Sequence, residues 1–177
     1  MASIDVLESR LKRGEDPNAR ASIAVLLHGP VGGLEVLLVK RALNPSDPWS
    51  GDMAFPGGRR RPNDSDLLET ALRETMEETS IDLRNHRFLG SLNPVASEND
   101  PEMIVQPFVF LCSERPRVVL SYELCSHMWI PLDKLRRSRG MARVRGGISP
   151  AYLIDGEIVW GLTYRVLEDL LGLMEAF

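Results

Sequence analysis

At 177 residues, with 44% hydrophobic and 26% charged residues, the chain is long enough for one soluble domain with a sizeable core. A formal charge of −4 gives no global attraction to nucleic acid or anionic membrane, so nucleic acid is a disfavoured partner. Two cysteines, Cys112 and Cys125, exclude a disulfide framework and lack metal-ligand spacing; both read as reduced, buried thiols. No run is long enough to cross a membrane, and Met1 to Arg20 lacks the apolar core of a signal peptide, so the expected location is the cytoplasm.

Ile4, Leu7 and Leu11 recur at helical spacing and end at Gly14, which predicts a short helix in an N-terminal extension, residues 1–20, packed on a domain spanning 21–177. Residues 21–28 and 34–41 are apolar, β-branched runs joined by Gly29-Pro30-Val31-Gly32-Gly33, a hairpin-like pair of strands. Residues 44–52 form a polar loop bearing Trp49. That ring either stacks on a ligand or packs over the core edge. Met53-Ala54-Phe55 is a short strand entering Pro56-Gly57-Gly58, where the paired glycines allow a tight loop and close approach of main chain to a ligand. Arg59-Arg60-Arg61 follow directly.

A helix is predicted over 67–79, with Asp66 as N-cap and Glu69 completing a capping box. Wound at about 100° per residue, it places Leu68, Ala71, Leu72, Thr75, Met76 and Thr79 on one side. Arg73, Glu74, Glu77 and Glu78 share the other within about 140° of arc. Carboxylates this close repel unless a cation sits among them, and Mg²⁺ or Mn²⁺ is the matching hard ion. A solvated helix face is the plainer alternative.

Residues 87–93 and 103–112 read as strands around a loop, 94–101, that carries Glu98. Lys134 to Arg145 is the most basic stretch; its glycines predict a loop, either a solvated connection or a lid or RNA contact. Residues 152–160 read as a hairpin turning at Asp155-Gly156, and 161–174 as a closing amphipathic helix.

The glycine loop together with Arg73-Glu74-Thr75-Met76-Glu77-Glu78-Thr79-Ser80-Ile81 resembles the signature of the Nudix hydrolases. That box runs Gly, five residues, Glu, seven residues, Arg-Glu-apolar-any-Glu-Glu-any-Gly-apolar. Here Gly58 lies one residue too far from Arg73, Ser65 stands for the upstream Glu, Thr75 for an apolar residue and Ser80 for the usual Gly. Phe55-Pro56-Gly57-Gly58-Arg59, Asp64 and Thr70-Ala71-Leu72-Arg73-Glu74 are similar to the coenzyme A pyrophosphatase branch, which shares the longer spacing. Asp47 departs from that branch, which often has Arg there.

The resemblance spans about residues 21–173 and implies an α/β fold, a Nudix-type α/β/α sandwich with a mixed central β-sheet. It implies a metal-dependent hydrolase cleaving the pyrophosphate of a nucleoside diphosphate derivative, coenzyme A among them, with Mg²⁺ or Mn²⁺ as cofactor. Carried over by position, Glu74, Glu77 and Glu78 with the Gly57 carbonyl hold metal. Glu74 and Glu77 also serve catalysis, and Arg73 orients them. Arg41, Trp49, Phe55 and Arg59 are the candidate substrate contacts, and Glu98, Glu102 and Glu123 are equal candidates for an extra acid. A homodimer is compatible with the resemblance. The competing readings are a catalytically silent nucleotide-binding module, suggested by Ser65 and Ser80, and an RNA-end pyrophosphohydrolase, suggested by the basic stretch.

Overall fold

The structure, a computed structural model, describes residues 4–30 and 33–175. Val31 and Gly32 of the expected hairpin loop, Met1 to Ser3, and residues 176–177 lie outside the described residues. Strand β1 (Ala21–His28) runs through the middle of the main sheet, parallel to β7 (Ile104–Cys112) from Ala21↔Val105 to His28↔Cys112. The other pairings are antiparallel. Beside β1 lies β2 (Glu35–Arg41), followed by β3 (Met53–Ala54); β4 (Gly57–Arg59) also pairs with β1. On the far side, β5 (Arg87–Ser91) and β6 (Val95–Ala96) pair with β7. Strand β8 (Leu124–Pro131) pairs with β2. The mixed sheet expected from the resemblance is therefore present, flanked by helices.

Period-two alternation divides β1 between two cores. Ile23, Val25 and Leu27 join a cluster with α1 (Ile4–Arg10) and α4 (Gly161–Glu175), including Leu7, Val166 and Leu170. Ala24 and Leu26 join Leu37, Phe108 and Phe110 beneath α2 (Leu67–Thr79), which supplies Leu67 and Ala71.

Helix α2 begins at Asp66, whose side chain accepts from the Glu69 amide at 2.7 Å. Glu69 reaches the Ser65 amide and not that of the N-cap itself, so the capping box is displaced by one residue. A carboxylate oxygen of Glu15 accepts from the Leu67 amide at 2.9 Å, tying the segment before β1 to the helix start. At the other end Ser80 takes the left-handed conformation, φ 60°, that Gly usually supplies; its amide donates to the Met76 carbonyl.

The rotation of α2 corrects the sequence expectation. Its buried residues are Leu67, Thr70, Ala71, Thr75, Glu78 and Thr79, whereas Met76 is exposed. The helix turns Glu78 inward beside β4, where its carboxylate accepts from the Gly57 amide.

The basic stretch is also not a loop. Residues 132–137 form α3, and Arg139–Val144 form β9, which joins β10 (Gly147–Ile154) and β11 (Glu157–Trp160) in a second, three-stranded antiparallel sheet. Much of its charge is paired: Lys134 with Asp155, Arg139 with Glu168, and Arg145 with Asp52. Cys112 is buried and its thiol pushed up to about 12 by desolvation, but Cys125 is exposed, contrary to expectation, on the solvent-facing side of β8. Among the described residues no helix is long and apolar enough to cross a membrane.

Candidate active site

A cleft of about 360 Å³ opens between β1, β4, the inner face of α2, the 97–99 loop and the start of α4. Its lining includes Glu74, Glu78, Gly57, Gly58, Arg59, Phe55, Arg41 and Trp49. Seven of the residues expected to act on metal or substrate therefore meet there: Arg41, Trp49, Phe55, Gly57, Arg59, Glu74 and Glu78. Arg73 and Glu77 do not line it.

The two glycines are required by packing. A Cβ on Gly57 would lie 2.2 Å from the Ser22 carbonyl oxygen and 2.7 Å from Ile23 Cα. A Cβ on Gly58 would lie 2.6 Å from Glu74 Cδ. The absence of side chains thus brings β4 against β1 and leaves the space that the Glu74 carboxyl occupies.

Glu78 is only 4% exposed, and one Oε accepts from the Gly57 amide at 3.1 Å. Burial pushes its carboxyl up to about 8, against the lowering effect of the Gly57 hydrogen bond, and the nearby Glu74 charge pushes the same way as burial. Glu74 is raised as well, chiefly by desolvation, although Arg73 Nη1 donates to it at 2.6 Å.

Arg73 is held from a residue off the helix. Its Nε donates to Asp64 Oδ1 at 2.9 Å and its Nη2 to Asp64 Oδ2 at 2.7 Å. Asp64 is 6% exposed and also accepts from Thr70 Oγ1 and from the Arg61 amide. The Arg73 fork holds its carboxyl well below the usual carboxylate range. Sequence reasoning gave Asp64 no role in the site. The available signal was Ser65 at the upstream Glu position, with a carboxylate one residue earlier.

Glu77 lies on the outer side, its side chain 44% exposed, in a fork with Arg61 at 2.8 and 3.1 Å. Arg41 follows a register shift in β2, a bulge that re-aims the chain. Its Nε donates to Asp47 Oδ2 at 2.6 Å. Asp47, which departs from the branch pattern, thus orients a cleft arginine. Of the three extra acids, Glu98 and Glu123 line the cleft and Glu102 does not. Asp52 and Trp160, which the sequence did not single out, also line it.

As placed, no three His, Cys, Asp or Glu side chains among the described residues converge to hold a metal ion. Arg73 draws Glu74 and Arg61 draws Glu77. The donor set still suits a hard divalent cation: a buried carboxyl with one amide partner, a second carboxyl beside it, and main chain free of side chains.

The family model described as NUDIX domain matches residues 18–151. A Yersinia enterocolitica protein named as an uncharacterized Nudix hydrolase, NudL, is 33% identical over 141 residues, covering 76% of this chain and 71% of its own. Nudix hydrolase 3 of Caenorhabditis elegans is 29% identical over 188 residues, covering 93% and 77%. An uncharacterized Schizosaccharomyces pombe protein is 36% identical over 117 residues, 62% of this chain, which spans only 36% of that relative. Among solved structures, a MutT/nudix family protein from Enterococcus faecalis superposes with a TM-score of 0.58 at 17% identity, covering 98% of this chain and 70% of its own. A C. elegans Ap4A hydrolase in a binary complex gives 0.55 at 23% identity, covering 64% and 81%. At these identities the superpositions show a shared fold.

Proposed function

The chain belongs to the Nudix hydrolase family, and from that premise we propose that it hydrolyses the pyrophosphate linkage of a nucleoside diphosphate derivative with the help of Mg²⁺ or Mn²⁺. The observation that carries this reading is the pair Glu74 and Glu78 on the floor of the cleft, packed against the glycines of β4. A diphosphate repels nucleophiles through its own negative oxygens. A divalent ion offsets that charge and lowers the pKa of bound water. Glu78, Glu74 and the Gly57 carbonyl would hold the ion, with Glu77 joining once released from Arg61. Glu74 accepts the proton of the attacking water in this reading, and Arg73 fixes its carboxyl. Arg41 and Arg59 meet the phosphates, while Phe55 and Trp49 offer apolar surface to the rest of the substrate.

Coenzyme A and its derivatives are the favoured substrates, on the strength of Phe55-Pro56-Gly57-Gly58-Arg59 and of Asp64, whose grip on Arg73 gives the branch motif a physical role. The Ap4A named for the C. elegans structure marks dinucleotides as the next class to test. The pairing of the basic stretch with carboxylates removes much of the charge that an RNA-end substrate would need.

The test is a mass-spectrometric product assay with Mg²⁺ or Mn²⁺. The panel holds coenzyme A, its oxidised and acylated forms, dinucleotides, sugar nucleotides, nucleoside triphosphates and capped RNA. Release of 3′,5′-ADP and phosphopantetheine from coenzyme A is the expected result. Cleavage of another compound would keep the chemistry and replace the substrate. Binding of nucleotides without turnover of any compound would leave a silent nucleotide-binding module.

A further inference from the structure

Beside the cleft lies a second hollow of about 260 Å³, lined by Arg143, Arg145, Glu157 and Ile158 among others. Asp52 and Trp160 line both hollows, so the two adjoin at that pair. The second hollow is formed where the β9–β10 hairpin and the β10–β11 turn meet the segment before β3.

The balance of charge there is uneven. Glu157 is already held by Lys40 Nζ at 2.8 and 3.0 Å. Asp52 is held by Arg145, whose Nη2 donates at 2.5 Å and Nη1 at 3.3 Å. The Arg145 guanidinium also lies 5.3 Å from the centroid of the Trp160 ring, which holds it at the junction. Arg143, exposed on β9 and lining the hollow, has no hydrogen-bond or ion-pair partner among the described residues. Its charge is left over once both carboxylates are matched.

We propose that this hollow binds an anionic group of phosphomonoester class, carried by the same substrate at a distance from the scissile anhydride, with Arg143 as its main contact and Arg145 as the second. Arg143 offers a planar fork of donors that fits phosphate oxygens. Arg145 is half-exposed in a surface ion pair, a kind of pair held weakly enough to share its donors with an arriving phosphate. Trp160, which lines both hollows, would lie between the two anionic ends of such a substrate. The inference rests on the proposed function only in that one substrate occupies both hollows.

The experiment measures binding of adenosine 5′-monophosphate and adenosine 3′,5′-bisphosphate by calorimetry in Mg²⁺. It compares the intact protein with R143A, R143E and a control, R117A, at an exposed cation lining neither hollow. The bisphosphate should bind the intact protein and R117A at least tenfold more tightly than the monophosphate. In R143A that gap should shrink below threefold, and in R143E it should vanish, with monophosphate affinity unchanged. Equal affinity for the two nucleotides in the intact protein, binding of neither, or a gap that survives R143E would each overturn the proposal. A gap with no hydrolysis of any pyrophosphate would remove the proposed chemistry and leave the anion site. Hydrolysis without a gap would do the reverse.

Discussion

Arg73, on the helix that carries the acidic cluster, is forked onto Asp64, a buried carboxylate outside that helix, at 2.9 and 2.7 Å. Through its remaining nitrogen Arg73 donates to Glu74, so the position of a cleft carboxylate depends on a residue that does not line the cleft. Removing one partner of a buried pair leaves the other uncompensated, at a cost of about 3 kcal/mol. Asp64→Asn should therefore lower stability to urea by roughly 2–3 kcal/mol and reduce turnover together. The folded-state pKa of Asp64 is depressed, so its contribution is present above the usual 3.8 and is lost as pH falls below it. The variant should lack that part of the acid destabilisation, and unchanged acid and urea curves would refute the role.

Glu78 has the opposite sign. Its carboxyl is raised from the usual 4.5 to about 8, chiefly by burial. The stability it contributes is fully present below 4.5 and is lost as pH rises through 8, where the folded state must ionise a buried group. In metal-free protein, the melting temperature should fall between these values relative to Glu78→Gln, so that the variant is the more stable at pH 8. Adding Mg²⁺ at pH 8 should raise the melting temperature of the intact protein more than that of the variant. Turnover should drop on the order of 100-fold in the variant. Parallel stability curves in the two proteins would remove Glu78 from the proposed metal site.

The neighbouring glycines should separate fold from activity. Gly58→Ala collides with the end of the Glu74 side chain, which can swing away. The protein should stay folded and lose turnover. Gly57→Ala collides with the main chain of Ser22 and Ile23 and should cost about 3 kcal/mol, read by chemical denaturation. Equal stability losses in the two variants would contradict this division.

Ser80 holds the helix C-cap at φ 60°, which a residue with a Cβ adopts at a cost of about 1 kcal/mol. Ser80→Gly should raise stability by roughly 0.5–1 kcal/mol, the relief being offset in part by the greater freedom of the unfolded chain. The Ser80 hydroxyl contact with the Val119 carbonyl, at 3.3 Å, is a small loss. A lowered melting temperature would show that this contact matters more than the cap geometry.

Local pattern was enough for much of this protein. The continuous apolar runs of β1 and β7 and the capped, 13-residue α2 were legible because main-chain geometry depends on nearby residues. The glycine pair and the grouping of Arg73 with the glutamates were legible for the same reason, since helix spacing alone places side chains on a common arc. The depth of each glutamate was not. Glu78 is buried while Glu77 is half-exposed because β4 packs against one side of α2, and a single-residue difference in facing depends on a strand pairing remote in sequence. The Asp64 fork, the Asp47 hold on Arg41, and the conversion of the basic stretch into β9 likewise depend on partners that only the folded chain brings within hydrogen-bond reach. Sequence determined which groups the chain carries and which fit a helix or a strand. Tertiary packing decided which carboxylates lose their water, and with it which of them face the cleft.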